Sequence, residues 1–328
     1  MFNEVFIDWI TASQNHQEGG LPIITGGVVV HYDASGIPRL ERNCAASFTG
    51  SHGTSIRVGC DGFRVSLSGN VGRFGRENNL FNFGWEGTKE ACARILTDVG
   101  LPIFTASSGI KEHENYKRGA VVSRLDITAN YATGSETQAR AAIRWLGERS
   151  ISRMKRGQAG DESVWWSNTR HMFKTYIKHI EMLAHGVEKE NIAYQWCKDR
   201  GVVRVEMELK KRLLSDLGLN DWDTLSQKKI EELFHDHTQI LKAVDRSDEL
   251  DLIDSLPIRS RIYASAWLAG KDLRDLAGQA TLYRHSKILR EYGLDILHVR
   301  NVNQLPVRVR IVDMKPLSVP DWYQQVAA

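Results

Sequence analysis

Three short stretches combine carboxylates, cations and a phenol at strand spacing. In Ser123-Arg124-Leu125-Asp126-Ile127-Thr128 apolar and polar residues alternate. On a strand, alternate side chains share a face, so Leu125 and Ile127 turn toward a core and Arg124, Asp126 and Thr128 turn together to the other side. A carboxylate placed mid-strand is costly unless it is paired or binds a cation, and Asp126 suits a hard ion such as Mg²⁺. A structural Arg124–Asp126 pair on a solvated face fits the same pattern. In Thr175-Tyr176-Ile177-Lys178-His179-Ile180-Glu181, Tyr176 and Lys178 lie two apart and are expected on one face of a strand spanning His171 to Met182. A tyrosine becomes a nucleophile when a cation or metal stabilises its phenolate. Transesterification at a phosphodiester needs such a nucleophile with a divalent ion on the phosphate. An ordinary amphipathic strand also accounts for a lone Tyr-x-Lys. In Arg204-Val205-Glu206-Met207-Glu208-Leu209, Arg204, Glu206 and Glu208 share the polar face and supply further carboxylates.

Short β-rich runs must position these stretches. Phe6 to Ile10, Gly27 to Tyr32, Ser55 to Cys60 and Phe63 to Ser68 read as strands, with Asp61-Gly62 as a hairpin turn. Ala120 to Ala129, Ser163 to Ser167 and Val202 to Leu209 read likewise. Thr88 and Ser135 are expected to cap two helices, and a third lies near Val187 to Lys198. Strands interrupted by helices predict an α+β fold with a central antiparallel sheet and flanking helices. Arg149 to Arg156 is expected to be a basic loop. Its Arg153, Lys155 and Arg156 either gate a DNA strand or carry solvated charge. Trp165 and Trp166 are adjacent, so one is expected in the core and the other is free to stack on an unpaired base.

Beyond residue 217 helical spacing takes over, as in Asp223 to Val244, which predicts a 1–217 catalytic domain and a smaller, mainly helical 218–328 domain. Residues 257–300 hold eight Arg and Lys against four Asp and Glu. Asp272 to Ala277 and Thr281 to Tyr292, joined through Gly278, have helix-turn-helix proportions. Thr281, Arg284, His285 and Lys287 would then face a DNA groove, with Arg261 nearby in the same basic unit. A helical bundle with a solvated basic face is the other reading. Leu305 to Met314 alternates as a strand does.

The chain resembles the replication initiators of filamentous bacteriophages, the gene II protein family. The resemblance rests on SRLDIT (123–128), TYIKHIE (175–181) and VRVEMELKKRLLSDLGL (203–219), in that order. SGNVGRFGRENNLFNFGW (68–85), AWLAGKDLR and TLYRHSKILREYGLDI support it. The family is similar to rolling-circle nickases of the HUH fold. What the resemblance implies is a site-specific nickase and ligase acting at a phage origin. Tyr176 would attack one strand and form a 5′-phosphotyrosine. Lys178 would stabilise charge at the phosphate, and Arg124 is a further catalytic candidate. No His-hydrophobic-His occurs in a strand, and Arg124-Leu125-Asp126 stands in its place. Mg²⁺ or Mn²⁺ would then be held by oxygen, from Asp126, Glu206 and Glu181. Expected partners are duplex origin DNA, single-stranded DNA and, from the family, a host helicase, polymerase and single-strand-binding protein. The expected location is the cytoplasm of the bacterial host. Tyr131 or Tyr194 could serve as a second tyrosine in strand closure.

Other features exclude function classes. The chain has 328 residues, 42% of them hydrophobic and 25% charged, which fits a globular protein and not a disordered one. A net charge of +3 does not by itself announce a polyanionic partner. The four cysteines lack metal-site spacing, and no signal peptide or apolar run long enough to span a membrane is present. Gly72-Arg73-Phe74-Gly75-Arg76 lacks the Gly-Lys-Ser/Thr ending of a phosphate loop. His235-Asp236-His237 reads as helix, where residues two apart point about 200° from each other and cannot chelate one ion. The alternative to a nickase is a non-catalytic, sequence-specific DNA-binding regulator with a degenerate nickase domain. A metabolic α+β enzyme finds no cofactor motif.

Overall fold

The computed structural model describes residues 2–109, 116–149, 151, 153–238, 253, 256–292, 294–297 and 316–326. The strands are β1 (Phe2–Asn3), β2 (Val5–Asn15), β3 (Gly27–Tyr32), β4 (Pro38–Cys44), β5 (Ala46–Thr49), β6 (Ser55–Cys60), β7 (Arg64–Gly69) and β8 (Asn82–Phe83). Helix α1 (Trp85–Asp98), strand β9 (Val121–Ala132) and helix α2 (Glu136–Gly147) follow. Next come β10 (Lys155–Ala159), β11 (Ser163–Ser167), β12 (His171–Ile177), α3 (Lys178–Ala184), α4 (Ile192–Asp199) and β13 (Val202–Lys210). The remaining helices are α5 (Lys211–Asp216), α6 (Gln227–His237), α7 (Ile258–Leu268), α8 (Gln279–Leu289) and α9 (Asp321–Val326).

Nine strands form one antiparallel sheet in the order β10-β11-β12-β13-β9-β2-β7-β6-β5. The expected α+β class with a large antiparallel sheet is therefore observed. One sheet face is apolar. Leu125, Ile127, Val205, Met207 and Phe173 pack there against Cys92, Leu96, Ala139, Ile143 and Leu214 of α1, α2 and α5. The opposite face carries the polar members of the same alternation, including Asp126, Glu206, Glu208, Lys174 and Tyr176. Strands β3 and β4 form a separate exposed ribbon.

The local chemistry explains most boundaries. Asp61 Oδ1 accepts from the Phe63 and Arg64 amides, and Gly62 takes φ +95°, which closes the β6–β7 hairpin. Ser135 caps α2 as expected, accepting from the Gln138 amide. Helix α1 starts at Trp85 and not after Thr88, because remote side chains receive its first amides. Asn3 Oδ1 accepts from Gly84, and Gln227 Oε1 accepts from Trp85. Asn191 caps α4, so that helix begins at Ile192.

Strand β12 ends at Ile177, five residues before the expected Met182, and Lys178 opens α3. The expected basic loop is partly edge strand: Lys155 and Arg156 belong to β10, paired with Ser167 and Trp166. A ring drives that pairing. Trp165 lies so close to Gly157 that a Cβ there would sit 2.3 Å from the indole.

Residues 222–234 fall beyond the boundary expected at 217, yet Trp222, Leu225, Ile230 and Phe234 pack into the sheet's core. A distinct cluster around Leu256, Trp267, Leu282, Leu289 and Leu294 forms the helical unit. The chain then returns. Tyr323 of α9 packs with Phe6 and Phe81, its hydroxyl donating to the Phe81 carbonyl at 2.9 Å. Leu305 to Met314 and the end of the helix expected to run to Val244 lie outside the described residues. No helix among the described residues is long and apolar enough to cross a membrane.

Candidate active site

The polar sheet face becomes a site where β12, β13, β9 and β2 run side by side. Tyr176 on β12 lies opposite Arg204 on β13, and Lys174 lies opposite Glu206. Glu206 in turn faces Thr128 on β9, and Glu208 faces Asp126. Asp126 and Glu206 are thus diagonal neighbours across one strand pair. Three separate stretches meet as their alternation predicts.

The nucleophile candidate is held by a carboxylate. The Tyr176 hydroxyl donates to Glu206 Oε1 at 2.6 Å. Tyr176 is only 5% exposed, and burial, with the Glu206 charge, holds its phenol well above the ordinary value of 10. Burial and the charge of Asp8 push the Glu206 carboxyl upward, which makes it a better proton acceptor.

Lys178 does not reach the site by strand alternation. It opens α3, is 2% exposed, and donates to Glu181 Oε2 at 2.7 Å and Asn79 Oδ1 at 3.1 Å. Its ammonium lies 6.0 Å from the Tyr176 ring centre. Burial, then Arg204, lowers its pKa. Glu181 is thereby brought to the site's edge, where Lys178 and Arg204 outweigh burial and lower its pKa.

Arg204 is the buried centre of the network. Its Nε donates to Asn130 Oδ1 at 2.9 Å, and its Nη2 donates to the carbonyls of Asn79 and Leu80 at 2.6 and 2.8 Å. Asp8 lies 3.9 Å from its other terminal nitrogen. Asp8 was missed in the sequence because a β-bulge in β2 puts an extra residue between Ile7 and Trp9. Asp8 keeps the polar face that Phe6 shares with Thr128, while the bulge turns Trp9 to that face and Ile10 to the core; Asn70 and Asn79 donate to Asp8 at 2.7 and 3.0 Å. Asn79 was also missed as a site residue. Its Asn-Leu-Phe context is the signal, since that segment folds over the sheet and bonds Asp8, Lys178 and Arg204 together.

Arg124 and Asp126 form a bidentate pair at 2.9 and 2.6 Å, with Glu208 at 3.4 Å and the guanidinium over Trp9 at 5.1 Å. Burial outweighs Arg124, and the charges of Glu208 and Asp8 add to it, so the Asp126 carboxyl is pushed up to about 7. Among the described residues no three His, Cys, Asp or Glu side chains converge as a ready-made metal cage. The donor set nonetheless fits a hard divalent cation in its chemistry. It is all oxygen, its carboxyls repel one another, and the buried Thr128 hydroxyl beside Glu206 lacks a partner among the described residues.

The chain matches two family models of the phage replication-associated protein: its N-terminal region over residues 6–229, and its C-terminal region over residues 256–327. It belongs to the phage replication-associated protein family. It is 26% identical to the replication-associated protein of Escherichia phage If1, over 82% of this chain and 97% of that one. It is 25% identical to the replication-associated protein of Enterobacteria phage I2-2, over 98% and 97%. The N-terminal family match spans every residue of the site just described.

In the family's C-terminal region, Asp272 to Ala277 is not a helix. A single 3-10 turn, Leu273–Asp275, sits in a ten-residue connection between α7 and α8, too long for the three- or four-residue turn of a helix-turn-helix. The Asp272 side chain accepts from the Arg274 amide and pairs with its guanidinium, which favours that tight turn. Arg284 and Lys287 are exposed, and Thr281 is half-buried. His285 turns inward, its Nδ1 2.9 Å from Ser260 Oγ and its ring 4.3 Å from that of Tyr263. The Arg261 Nε donates to the Leu256 carbonyl.

In the basic stretch, Arg153 and Lys155 are exposed, whereas Arg156 donates to the Gly147 carbonyl at the end of α2. Trp166 is buried and Trp165 shares the face of Tyr176, next to Lys174 in register. Tyr131 is in the helix-side core and Tyr194 meets His179 edge to face, both buried.

Proposed function

We propose that this chain initiates phage DNA replication by nicking and rejoining one strand of the origin through a 5′-phosphotyrosine. Membership in the phage replication-associated protein family supports the replication role. The observation that carries the chemistry is the 2.6 Å hydrogen bond from Tyr176 to Glu206 on the polar sheet face.

In this reading the Tyr176 oxygen attacks the phosphorus as its proton passes to Glu206. The bond from phosphorus to the 3′ oxygen breaks, and that oxygen takes a proton from solvent. In the reverse reaction a 3′-hydroxyl gives its proton to solvent and attacks the phosphotyrosine, the bond from phosphorus to the Tyr176 oxygen breaks, and Glu206 returns the proton to Tyr176. Lys178 and Arg204, buried beside Tyr176, supply fixed positive charge that favours the phenolate as it forms. Mg²⁺ or Mn²⁺, held by Asp126 and Glu206 with Glu181 or Asp8 nearby, would polarise the phosphate oxygens. Arg124 orients Asp126. Trp165 and Trp9 would stack on bases of a single strand lying over the sheet. Arg284 and Lys287, with Arg153 and Lys155, offer contacts to duplex phosphates. Host helicase, polymerase and single-strand-binding protein would extend and coat the displaced strand.

The burial of Tyr176 favours one competing reading, a DNA-binding regulator that does no chemistry. Incubation with supercoiled DNA bearing the phage's own origin and Mg²⁺ separates the two. A nicked circle covalently attached to protein, lost in Tyr176→Phe, supports the nickase. Binding without any adduct refutes it.

A further inference from the structure

Three cations border Tyr176, and their surroundings differ sharply. Arg204 is fully buried, its Nε and Nη2 committed to Asn130 and to the carbonyls of Asn79 and Leu80 and its Nη1 turned to Asp8 at 3.9 Å. Lys178 is equally buried and committed to Glu181 and Asn79. Neither can reach a phosphate without breaking hydrogen bonds that hold the site together. Lys174 is different. Its ammonium lies 4.6 Å from the centre of the Tyr176 ring, and the residue is part exposed. In register it stands between Trp165 on β11 and Glu206 on β13. Among the described residues its ammonium makes no hydrogen bond or ion pair.

We propose that Lys174, and not Lys178, is the catalytic residue that receives the scissile phosphate at Tyr176. The inference rests on the nickase reading. Lysine is a compact point charge on a flexible stem, so it can move from the ring face to a phosphate oxygen without breaking a bond in the fold. Held beside the attacking phenol, it neutralises charge that grows on the phosphoryl oxygens as the new bond forms. Lys178 then acts as a positioning residue that fixes Glu181 and Asn79. Trp165, one strand over, would stack the base next to that phosphate.

The test uses the full-length chain, a single-stranded oligonucleotide containing the phage origin, and Mg²⁺. Single-turnover formation of the covalent adduct and equilibrium DNA binding are both measured. Lys174→Gln is expected to slow adduct formation by about a hundred-fold or more, with a much smaller change in affinity and an unchanged melting temperature. Lys174→Arg, which keeps the charge, is expected to recover most of the rate. A Lys174→Gln rate within about three-fold of wild type would overturn the assignment, and so would an arginine variant as slow as the glutamine one. If wild type forms no adduct, the nickase reading itself falls and takes this assignment with it.

Discussion

Tyr176 and Glu206 sit on adjacent strands two residues out of direct register, yet their side chains meet at 2.6 Å. The diagonal arrangement leaves the places directly opposite each to cations: Arg204 faces Tyr176 and Lys174 faces Glu206. A phenol and its proton acceptor are thus set in a square with two positive charges. Glu206→Gln keeps the shape and removes the base. It is expected to lower the single-turnover nicking rate by about a hundred-fold or more, with origin binding retained in a filter-binding assay. Wild-type rates in that variant would show that Glu206 does not take the proton.

Arg204→Met tests the buried centre. It strips Asn130, two carbonyls and Asp8 of their cation inside the fold. A loss of about 3–5 kcal/mol is expected by urea unfolding. A loss below about 1 kcal/mol would mean that water replaces the guanidinium.

Gly157→Val tests the indole over β10. The added side chain would collide with Trp165, a Cβ alone already lying 2.3 Å from it. A fall of about 1–3 kcal/mol in stability is expected, together with a shift of tryptophan fluorescence as the ring moves.

Histidine titration gives the pH dependence. Burial, followed by the charges of His237, Arg170 and Lys210, holds His171 below its ordinary 6.5. The unfolded chain therefore takes the proton first. Stability falls as pH drops through 6.5 and goes on falling until the folded value is passed. His171→Phe, which keeps a ring against Phe173, is expected to flatten the fall in melting temperature between about pH 7 and pH 5.5. An unchanged slope would assign the effect to other groups.

Arg284→Ala with Lys287→Ala tests duplex binding by the helical unit. Loss of two phosphate contacts is expected to reduce the slope of log affinity against log salt by about 2, equally on all sequences. Identical slopes would show these residues to be solvated surface.

Alternation made much of the site legible. Asp126, Glu206 and Tyr176 share a face because β9, β13 and β12 are regular strands with apolar partners between the polar residues. Asp8 escaped because plain alternation sets it between Phe6 and Ile10 on what reads as an apolar face, and only the bulge turns Ile10 away; Lys174 escaped because nothing local marks it until Glu206 stands opposite. Lys178 was legible as a neighbour of Tyr176 but not as a helix residue, since no capping side chain announces α3. The start of α1 was hidden for a related reason: its amides are received by Asn3 and Gln227, distant in sequence. The helix-turn-helix was misread because Asp272 closes a local turn where the hydrophobic pattern alone suggested a helix.

Strand β2 lies between β9 and β7 near the middle of the sheet, and its two neighbours follow it at very different distances along the chain. One neighbour follows within 55 residues, while the other begins only at Val121. At roughly 5–20 residues per second, a ribosome leaves that edge unpaired for several seconds. Through this interval Val5-Phe6-Ile7 and Trp9-Ile10 are an adhesive ribbon with no companion. Asp8, set in the midst of that run, then has a second use. Before it ever meets Arg204, its charge makes the nascent strand a poor template for another copy of itself.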